Sequence, residues 1–203
     1  MPLAYHLADM ASSPVLWTVG HSNHQLEGLM SLIEQAQIDY VVDVRSYPYS
    51  RFAPHFNREE LQAEIQRREM RYLFLGESLG GRPERDDHYD LEGHALYGPM
   101  AEAPAFGVAI DRLLDGARRH RLALLCSCGR PDDCHRRLLV GKVLCEHGAE
   151  LRHILPDGRV EHESIVDLRA RDNQHSLFGD DEKPWRSAQS VSHKRRLSTS
   201  SSG

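Results

Sequence analysis

The alternation of short apolar segments with helix-patterned segments constrains the fold of this chain most strongly. Five apolar segments of strand length cover 15–19, 40–44, 72–75, 122–125 and 151–155. Apolar residues between them recur at helical spacing, as they do from Leu26 to Ala36. Strands that alternate with helices form a mainly parallel sheet with both faces covered. The sequence therefore predicts an α/β three-layer sandwich whose central sheet has about five strands.

The segments between the later strands are less regular. Asn57 and Glu60 have the spacing of a capping box, which predicts a helix that continues to about Glu69. A long loop is expected from Gly76 to about Pro104, because this stretch is rich in glycine and charge. A last helix is predicted over 133–147, with Gly148 just after its end.

One domain accounts for most of the 203 residues, of which 40% are hydrophobic. We assign residues 14–171 to this single α/β domain and residues 1–13 to a flexible leader. Residues 172–203 are polar and end in Ser-Thr-Ser-Ser-Ser-Gly, which is typical of a disordered tail.

Charge and cysteine usage favour a cytoplasmic, reduced protein. The formal net charge of −5 argues against binding of polyanions over the whole surface. The first 13 residues lack the pattern of a signal peptide, and no stretch has the roughly 20 apolar residues that cross a membrane. Three of the four cysteines lie in one loop, which argues against disulfides that span the fold.

Polar residues follow each of the first four predicted strands. Because the carboxyl ends of parallel strands meet at one edge of a sheet, we expect these residues to share a site. The groups are Ser22 and Asn23 beside His21, then Asp43 and Arg45, then Glu77 near Gly80-Gly81, and then the loop from Cys126 to Arg136.

Cys126 is the candidate nucleophile, because it ends an apolar strand and precedes a Gly/Pro turn and a predicted helix. The helix N-terminus and the cations of Arg130 and Arg136 would favour the thiolate and hold an anionic substrate group. Cys134 and His135, at the predicted helix start, are expected to help bind a phosphate.

Two other interpretations of this loop stay open. Cys126, Cys128, Cys134 and His135 offer enough soft ligands for zinc. Their spacing differs from that of zinc knuckles, and neighbouring side chains at 134 and 135 are expected to diverge, so no metal or other cofactor is predicted and zinc is the lesser alternative. In the third interpretation the cysteine is a small buried hydrophobe and the basic residues pair with nearby carboxylates.

The remaining candidates have structural alternatives of similar weight. His21 is expected to transfer a proton or bind phosphate, or else to cap the following helix. Asp43 and Arg45 would place a carboxylate and a guanidinium in the cleft, or form an internal ion pair that fixes the loop. Glu77 would provide a carboxylate at the rim and serve in proton transfer. Ser22, Asn23 and Arg45 are expected to contact the substrate.

These motifs together resemble one known family. The matching stretches are Thr18-Val-Gly-His-Ser-Asn23, Asp43-Val-Arg45, Leu75-Gly76 with Leu79-Gly-Gly81, and Leu124-Leu-Cys126 through Cys134-His-Arg136. They are similar to the family catalogued as domain of unknown function 488, over roughly residues 15–160. The resemblance implies an α/β fold and no settled activity. An acidic residue is usual in that family where Cys128 stands in this chain.

A short motif in the tail indicates a protein partner. Gln174-His-Ser-Leu177-Phe178 resembles the peptide by which bacterial DNA-maintenance proteins bind the replication sliding clamp. A glutamine at the pocket rim and a Leu-Phe pair in an apolar pocket suit such docking. Packing of Leu177 and Phe178 back onto the domain is the alternative.

We therefore expect a DNA-maintenance or DNA-repair enzyme, a cysteine-dependent hydrolase or transferase that acts on a phosphorylated or nucleic-acid substrate. A rhodanese-like sulfurtransferase would use the same Cys126 as a persulfide carrier. A non-catalytic module that binds nucleic acid or a partner is the third hypothesis. The expected partners are the sliding clamp and DNA or a nucleotide, with no membrane.

Overall fold

Six strands of the computed structural model, which describes residues 13–173 and 184–191, form a single sheet. Their order in the sheet is β3-β2-β4-β1-β5-β6, and all neighbours run parallel except β5 and β6. The predicted mainly parallel sheet is confirmed, and a short sixth strand adds to its edge. The bounds are β1 (Val15–Gly20), β2 (Tyr40–Asp43), β3 (Arg71–Phe74), β4 (Leu122–Cys126), β5 (Glu150–Ile154) and β6 (Val160–His162).

Helices cover both faces of the sheet, as the alternating pattern predicted. A π-helical segment, Arg136–Gly141, runs directly into the sixth helix. The bounds are α1 (Leu26–Gln35), α2 (Arg58–Arg67), α3 (Gly76–Leu79), α4 (Tyr97–Ala101), α5 (Pro104–Ala117), α6 (Lys142–Glu146) and α7 (Glu163–Asn173).

β4 lies inside the sheet between β2 and β1, and all five of its residues are buried. Leu122 and Leu124 belong to the core that α5 and α6 complete, whereas Ala123 and Leu125 belong to the core on the α1 and α2 side. Side chains of a strand alternate between the faces of its sheet. This alternation directs Cys126 to the α5 side, at the carboxyl end of the strand.

The connections differ from the sequence prediction in three places. The Asn57 side chain forms no cap, because its Oδ1 accepts a hydrogen bond at 2.7 Å from the backbone N–H of Ser50 and so fixes the preceding loop. The expected loop over 76–104 contains α3, α4 and a 3-10 turn. The helix expected from Asp133 begins three residues later, and it begins as a π-helix.

Residues 184–191, here called the C-terminal strap, lie against the domain within the region predicted to be a disordered tail. The Trp185 indole donates to the Leu138 carbonyl at 2.7 Å. Ser187 exchanges two hydrogen bonds with Ala95, each of about 2.8–2.9 Å. The leader and the clamp-type peptide Gln174, Leu177 and Phe178 lie outside the described residues. Within the described ranges, none of the helices has the length and apolarity that a membrane crossing requires.

Candidate functional site

The loops that follow β1, β2 and β4 meet at the carboxyl edge of the sheet. The His21 backbone N–H donates to the Cys126 carbonyl at 3.0 Å, and the Ser22 N–H donates to Ser127 at 3.1 Å. The Val44 N–H donates to Leu125 at 3.1 Å. These bonds continue the parallel ladders past the strand ends, so the loops are held at fixed positions around the reactive cysteine.

A cavity of about 610 Å³ opens between these loops. It brings together the predicted residues His21, Arg45, Cys126, Arg130 and His135. The other lining residues of the cavity are Ser46, Tyr47, Tyr49, Ser50, Gly81, Arg82, Tyr97, Ser127, Cys128, Asp132, Asp133, Ser187, Ala188, Gln189 and Val191. Another cavity, of about 460 Å³, lies near the amino ends of β2 and β3, and its lining contains no thiol.

Cys126 and His135 form the closest reactive pair of the cavity. The His135 Nδ1 lies 3.6 Å from the Cys126 Sγ, and its Nε2 lies 2.9 Å from the Val44 carbonyl oxygen. Because a carbonyl only accepts hydrogen bonds, Nε2 carries a proton, and Nδ1 faces the sulfur, where it can take up the thiol proton. Despite burial, the charge of the Cys126 thiolate raises the pKa of His135, which favours the thiolate–imidazolium pair. The structure places His135 beside the thiol and in the lining of the cavity, and its predicted contact with a substrate phosphate stays a prediction.

The thiols of Cys128 and Cys134 lie beside Cys126 and stabilise its thiolate. Their hydrogen bonds, followed by the charge of His135, hold the pKa of Cys126 well below its usual value despite burial. Burial, and then the nearby Cys126, raise the pKa of Cys134 to about 12. A single negative charge is therefore concentrated on Cys126, and Cys134 is a neutral thiol.

The potential ligand atoms of Cys126, Cys134 and His135 all lie within 4.8 Å of one another. The expectation that the neighbouring side chains at 134 and 135 diverge was therefore wrong. The π-helical segment that starts just after them follows a tight turn, in which the Cys134 N–H bonds to the Pro131 carbonyl. This turn directs both side chains toward the end of β4.

Arg136 contacts the loop that follows Cys126 from the protein interior and is not among the residues that line the cavity. It is fully buried, and its guanidinium donates to the carbonyls of Cys128 and Gly129. Its Nε donates to the Thr18 hydroxyl at 3.3 Å, and its Nη1 lies 3.5 Å from the Cys134 sulfur. Its predicted phosphate contact is replaced by these internal contacts, which fix the loop backbone.

His21 lies against the cavity wall as a neutral ring. Burial, and then the charge of Arg45, lower the pKa of His21 to about 4. Its Nδ1 donates to the Ser22 carbonyl at 3.0 Å, which leaves Nε2 as an acceptor, and the ring stacks on Phe56 at 4.3 Å. A neutral ring with an accepting nitrogen suits the binding of a substrate hydroxyl or N–H group.

Asp43 and Arg45 form the internal ion pair that was the alternative to a role in the cleft. Arg45 Nη2 donates to Asp43 at 2.6 Å, and Nη1 donates to the Phe56 carbonyl at 2.9 Å. The Tyr72 hydroxyl donates to the same carboxylate at 2.7 Å. Asp43 is fully buried, so this carboxylate positions a loop and does not meet substrate.

Three other predicted residues lie outside the lining of the cavity: Ser22, Asn23 and Glu77. The backbone of Ser22, in the left-handed region at φ 47°, joins the β1 loop to the cysteine loop, with the exposed Asn23 beside it. Glu77 is an exposed residue of α3. Arg130 does line the cavity, and it pairs with Asp132 at 3.2 Å.

Sequence reasoning missed three parts of the site. The Val44 carbonyl orients His135, and nothing in the sequence marks one backbone carbonyl among many. A Cβ at Gly81 would lie 2.5 Å from the His135 ring, so this glycine permits the close packing of the ring, and the Gly80-Gly81 pair was a signal for it. The C-terminal strap supplies one wall of the cavity and has no local motif.

Comparison with known proteins identifies the family. The family model described as Domain of unknown function DUF488 matches residues 25–143, which is more than half of the chain. The chain therefore belongs to this family. The comparisons found no matching curated protein and no matching solved structure.

Proposed function

We propose that this member of the DUF488 family is a cysteine-dependent transferase or hydrolase in which Cys126 attacks a phosphorylated substrate. The observation that carries the proposal is the 3.6 Å approach of His135 Nδ1 to the Cys126 sulfur, with the ring oriented by the Val44 carbonyl. A nucleophile, a base and a group that orients the base are the parts that covalent catalysis requires. The pair lies at the cavity, although Cys126 is only 2% exposed.

The reaction follows from this geometry. His135 Nδ1 accepts the thiol proton, and the Cys126 sulfur forms a bond to phosphorus while the bond from phosphorus to the leaving oxygen breaks. The proton then passes from Nδ1 to the leaving oxygen. Water, or another acceptor hydroxyl, then forms a bond to phosphorus as the S–P bond of the phosphocysteine breaks; the phosphoryl group leaves on the acceptor oxygen, and the acceptor's proton passes through His135 Nδ1 to the Cys126 sulfur.

Positive charge for the substrate comes from the rim of the cavity. Arg45 and Arg136 are occupied by internal acceptors, whereas Arg82 and Arg130 are exposed side chains among the lining residues. Exposed arginines bind phosphate through two parallel hydrogen bonds. Tyr47 and Tyr49, each more than half exposed on the same rim, offer aromatic faces to a base or sugar.

Alkylation kinetics test the nucleophile directly. Iodoacetamide should modify Cys126 of the reduced protein first, as followed by intact mass and peptide mapping. Cys126→Ser should abolish the fast phase, and His135→Asn should slow it about 100-fold, the usual contribution of a positioned base. Cys145→Ser is the matched control, because Cys145 lies outside the cavity lining and should leave the fast phase unchanged.

Phosphate release from a chromogenic phosphate monoester and from 5′-phosphorylated oligonucleotides then tests the substrate class. Turnover by the parent and by Cys145→Ser, with none by Cys126→Ser, would support the proposal. Equal turnover by Cys126→Ser and the parent would overturn it, and no turnover by either protein would favour the hypothesis of a non-catalytic binding module.

Sulfur transfer is the second candidate, favoured by the two further thiols beside Cys126. The thiolate would attack the outer sulfur of thiosulfate, the S–S bond would break, and sulfite would leave a persulfide on Cys126. A gain of one sulfur atom by the parent, absent in Cys126→Ser, is the expected mass spectrum. No gain on exposure to excess thiosulfate would exclude this candidate.

A DNA-maintenance role is proposed from the tail peptide alone. Gln174, Leu177 and Phe178 lie outside the described residues, so the proposal depends on the motif itself. Binding of the full chain to a bacterial sliding clamp should be lost on combining Leu177→Ala with Phe178→Ala. Unchanged binding of this variant, or none by the parent, would contradict the proposal.

A further inference from the structure

Three soft donors converge at the end of β4. The potential ligand atoms of Cys126, Cys134 and His135 lie within 4.8 Å of one another, and the S···N distance from Cys126 to His135 is 3.6 Å. Bonds of about 2.3 Å to sulfur and about 2.0 Å to nitrogen put tetrahedral ligands of zinc about 3.5–3.8 Å apart. The exposed Cys128 thiol lines the adjoining cavity and is the residue available as a fourth ligand.

The orientation of His135 is the one that a zinc ligand needs. Its Nε2–H donates to the Val44 carbonyl at 2.9 Å, so Nδ1 presents a lone pair to the thiols. Zinc-binding histidines usually donate their other ring N–H to a carbonyl or carboxylate, which fixes tautomer and ring plane. The contact with Val44 comes from the loop after β2. It is therefore an observation independent of the short distances between the cysteines and His135.

The charge around the donors also suits a metal thiolate. One Zn²⁺ with three thiolates and a neutral imidazole carries a net charge of −1, which is costly to bury without a partner. The Arg136 guanidinium is fully buried and lies 3.5 Å from the Cys134 sulfur. Its positive charge balances the complex, and its bonds to the Cys128 and Gly129 carbonyls hold the ligand loop.

We infer that this cluster binds one zinc ion through Cys126, Cys128, Cys134 and His135. The inference goes beyond the proposed function and does not rest on it, because His135 Nδ1 would be a metal ligand in the zinc-bound form and not a base. Binding releases the thiol protons to solvent, and a zinc-bound thiol stays deprotonated without a base. In the metal-bound form the ion would therefore replace His135 in keeping Cys126 anionic, and Cys126 would remain in the lining of the cavity.

Metal analysis of the full chain, purified without chelator and reconstituted with equimolar zinc under reducing conditions, tests the site. About one zinc per chain is expected in the parent and in Cys145→Ser, the control with a thiol outside the cluster. Cys134→Ser should lose the zinc, and Cys128→Ser should retain it more weakly. Cobalt substitution of the parent should give sulfur-to-cobalt charge-transfer absorption with the intense visible bands of a tetrahedral ion, and this readout does not depend on a variant that folds.

The outcomes separate this inference from the proposed function. Substoichiometric zinc after reconstitution, or zinc retained fully by Cys134→Ser, overturns the metal site, and Cys126 alkylation in the same metal-free sample still tests the nucleophile. Stoichiometric zinc with a Cys126 that iodoacetamide does not modify supports the metal site and overturns the proposed function. A cobalt spectrum without thiolate charge transfer overturns the assigned ligands.

Discussion

Two buried polar clusters lie at the carboxyl ends of the neighbouring strands β2 and β4, and they use their hydrogen-bonding groups differently. In the first, Asp43, Arg45 and Tyr72 satisfy one another, and the remaining Arg45 donor reaches the Phe56 carbonyl. In the second, Cys126, Cys134 and His135 bring two sulfur atoms and a ring nitrogen within 4.8 Å of one another. The first is called the ion-pair cluster below and the second the thiol cluster.

This difference assigns a structural role to the ion-pair cluster and leaves the thiol cluster as the candidate for chemistry. Both clusters are buried and charged, so burial and charge alone would mark both as functional. The ion-pair cluster has its acceptors matched by donors of the same chain, and a substrate would have to break those bonds. The thiol cluster keeps nucleophilic lone pairs beside a cavity, where a substrate or a metal can use them.

Breaking the ion-pair cluster should give the largest effect. Asp43→Asn leaves the Arg45 guanidinium buried without a counter-charge, which costs about 3–5 kcal/mol of unfolding free energy. Tyr72→Phe removes one hydrogen bond to the same carboxylate and should cost about 1 kcal/mol. Urea denaturation of both variants measures the two values. An unchanged free energy of unfolding in Asp43→Asn would show that the Asp43–Arg45 ion pair does not stabilise the fold.

Displacing His135 should affect reactivity more than stability. A Cβ at Gly81 would lie 2.5 Å from the His135 Cγ, so Gly81→Ala pushes the ring away from Cys126. We expect alkylation of the cysteine to slow about 10–100-fold, as for an ångström-scale misplacement of a catalytic group. Gly107→Ala is the control, because a Cβ there meets nothing within 4 Å. Equal rates of Cys126 alkylation in the two variants would show that the position of His135 does not control the reactivity of this thiol.

Loosening the C-terminal strap should change access more than intrinsic reactivity. Trp185 anchors the strap through the Leu138 carbonyl and an edge contact with Tyr97 at 5.9 Å. Trp185→Ala should raise alkylation of Cys126 by a bulky maleimide about tenfold, equivalent to ~1.4 kcal/mol of steric barrier. Alkylation by iodoacetamide should rise much less. Parallel increases for both reagents would mean that the strap does not restrict the cavity by size.

The smallest effect is expected at Glu77. This carboxylate is exposed on α3 and lies outside the cavity lining, although the sequence predicted a role in proton transfer. Glu77→Gln should change the rate of Cys126 alkylation by less than about twofold, since exposed substitutions away from a site are close to neutral. A tenfold lower rate of Cys126 alkylation in Glu77→Gln would support the predicted role of this carboxylate in proton transfer.

The sheet was predictable from sequence because its signals are local. The apolar run at Leu122–Leu125 and the Gly/Pro turn after it predicted β4 and the position of Cys126 at its carboxyl end. The β6 strand was missed, since three residues, of which Val160 is the single apolar one, carry no usable periodicity. Asn57 does precede α2 as predicted, but its side chain accepts a hydrogen bond from the Ser50 backbone N–H, seven residues earlier, and does not cap the helix.

The roles within the site were not predictable in the same way, since they depend on contacts between residues far apart. His135 acts on Cys126 because a carbonyl 91 residues away orients it. The sequence predicted Arg136 as a phosphate ligand. In the structure its guanidinium donates to the carbonyls of Cys128 and Gly129. Residue type indicated that the region is reactive, and only the three-dimensional arrangement showed which groups are already occupied.

The position of the C-terminal strap has a consequence for the order in which the site is assembled during synthesis. Ser187, Ala188, Gln189 and Val191 line the cavity, and they follow Cys126 by about sixty residues, whereas the rest of the lining is complete by His135. On the ribosome the nascent polypeptide therefore holds every residue of the thiol cluster before the last wall of the cavity exists. During that interval Cys126 and Cys134, which are buried in the finished protein, are more accessible to metal ions and oxidants.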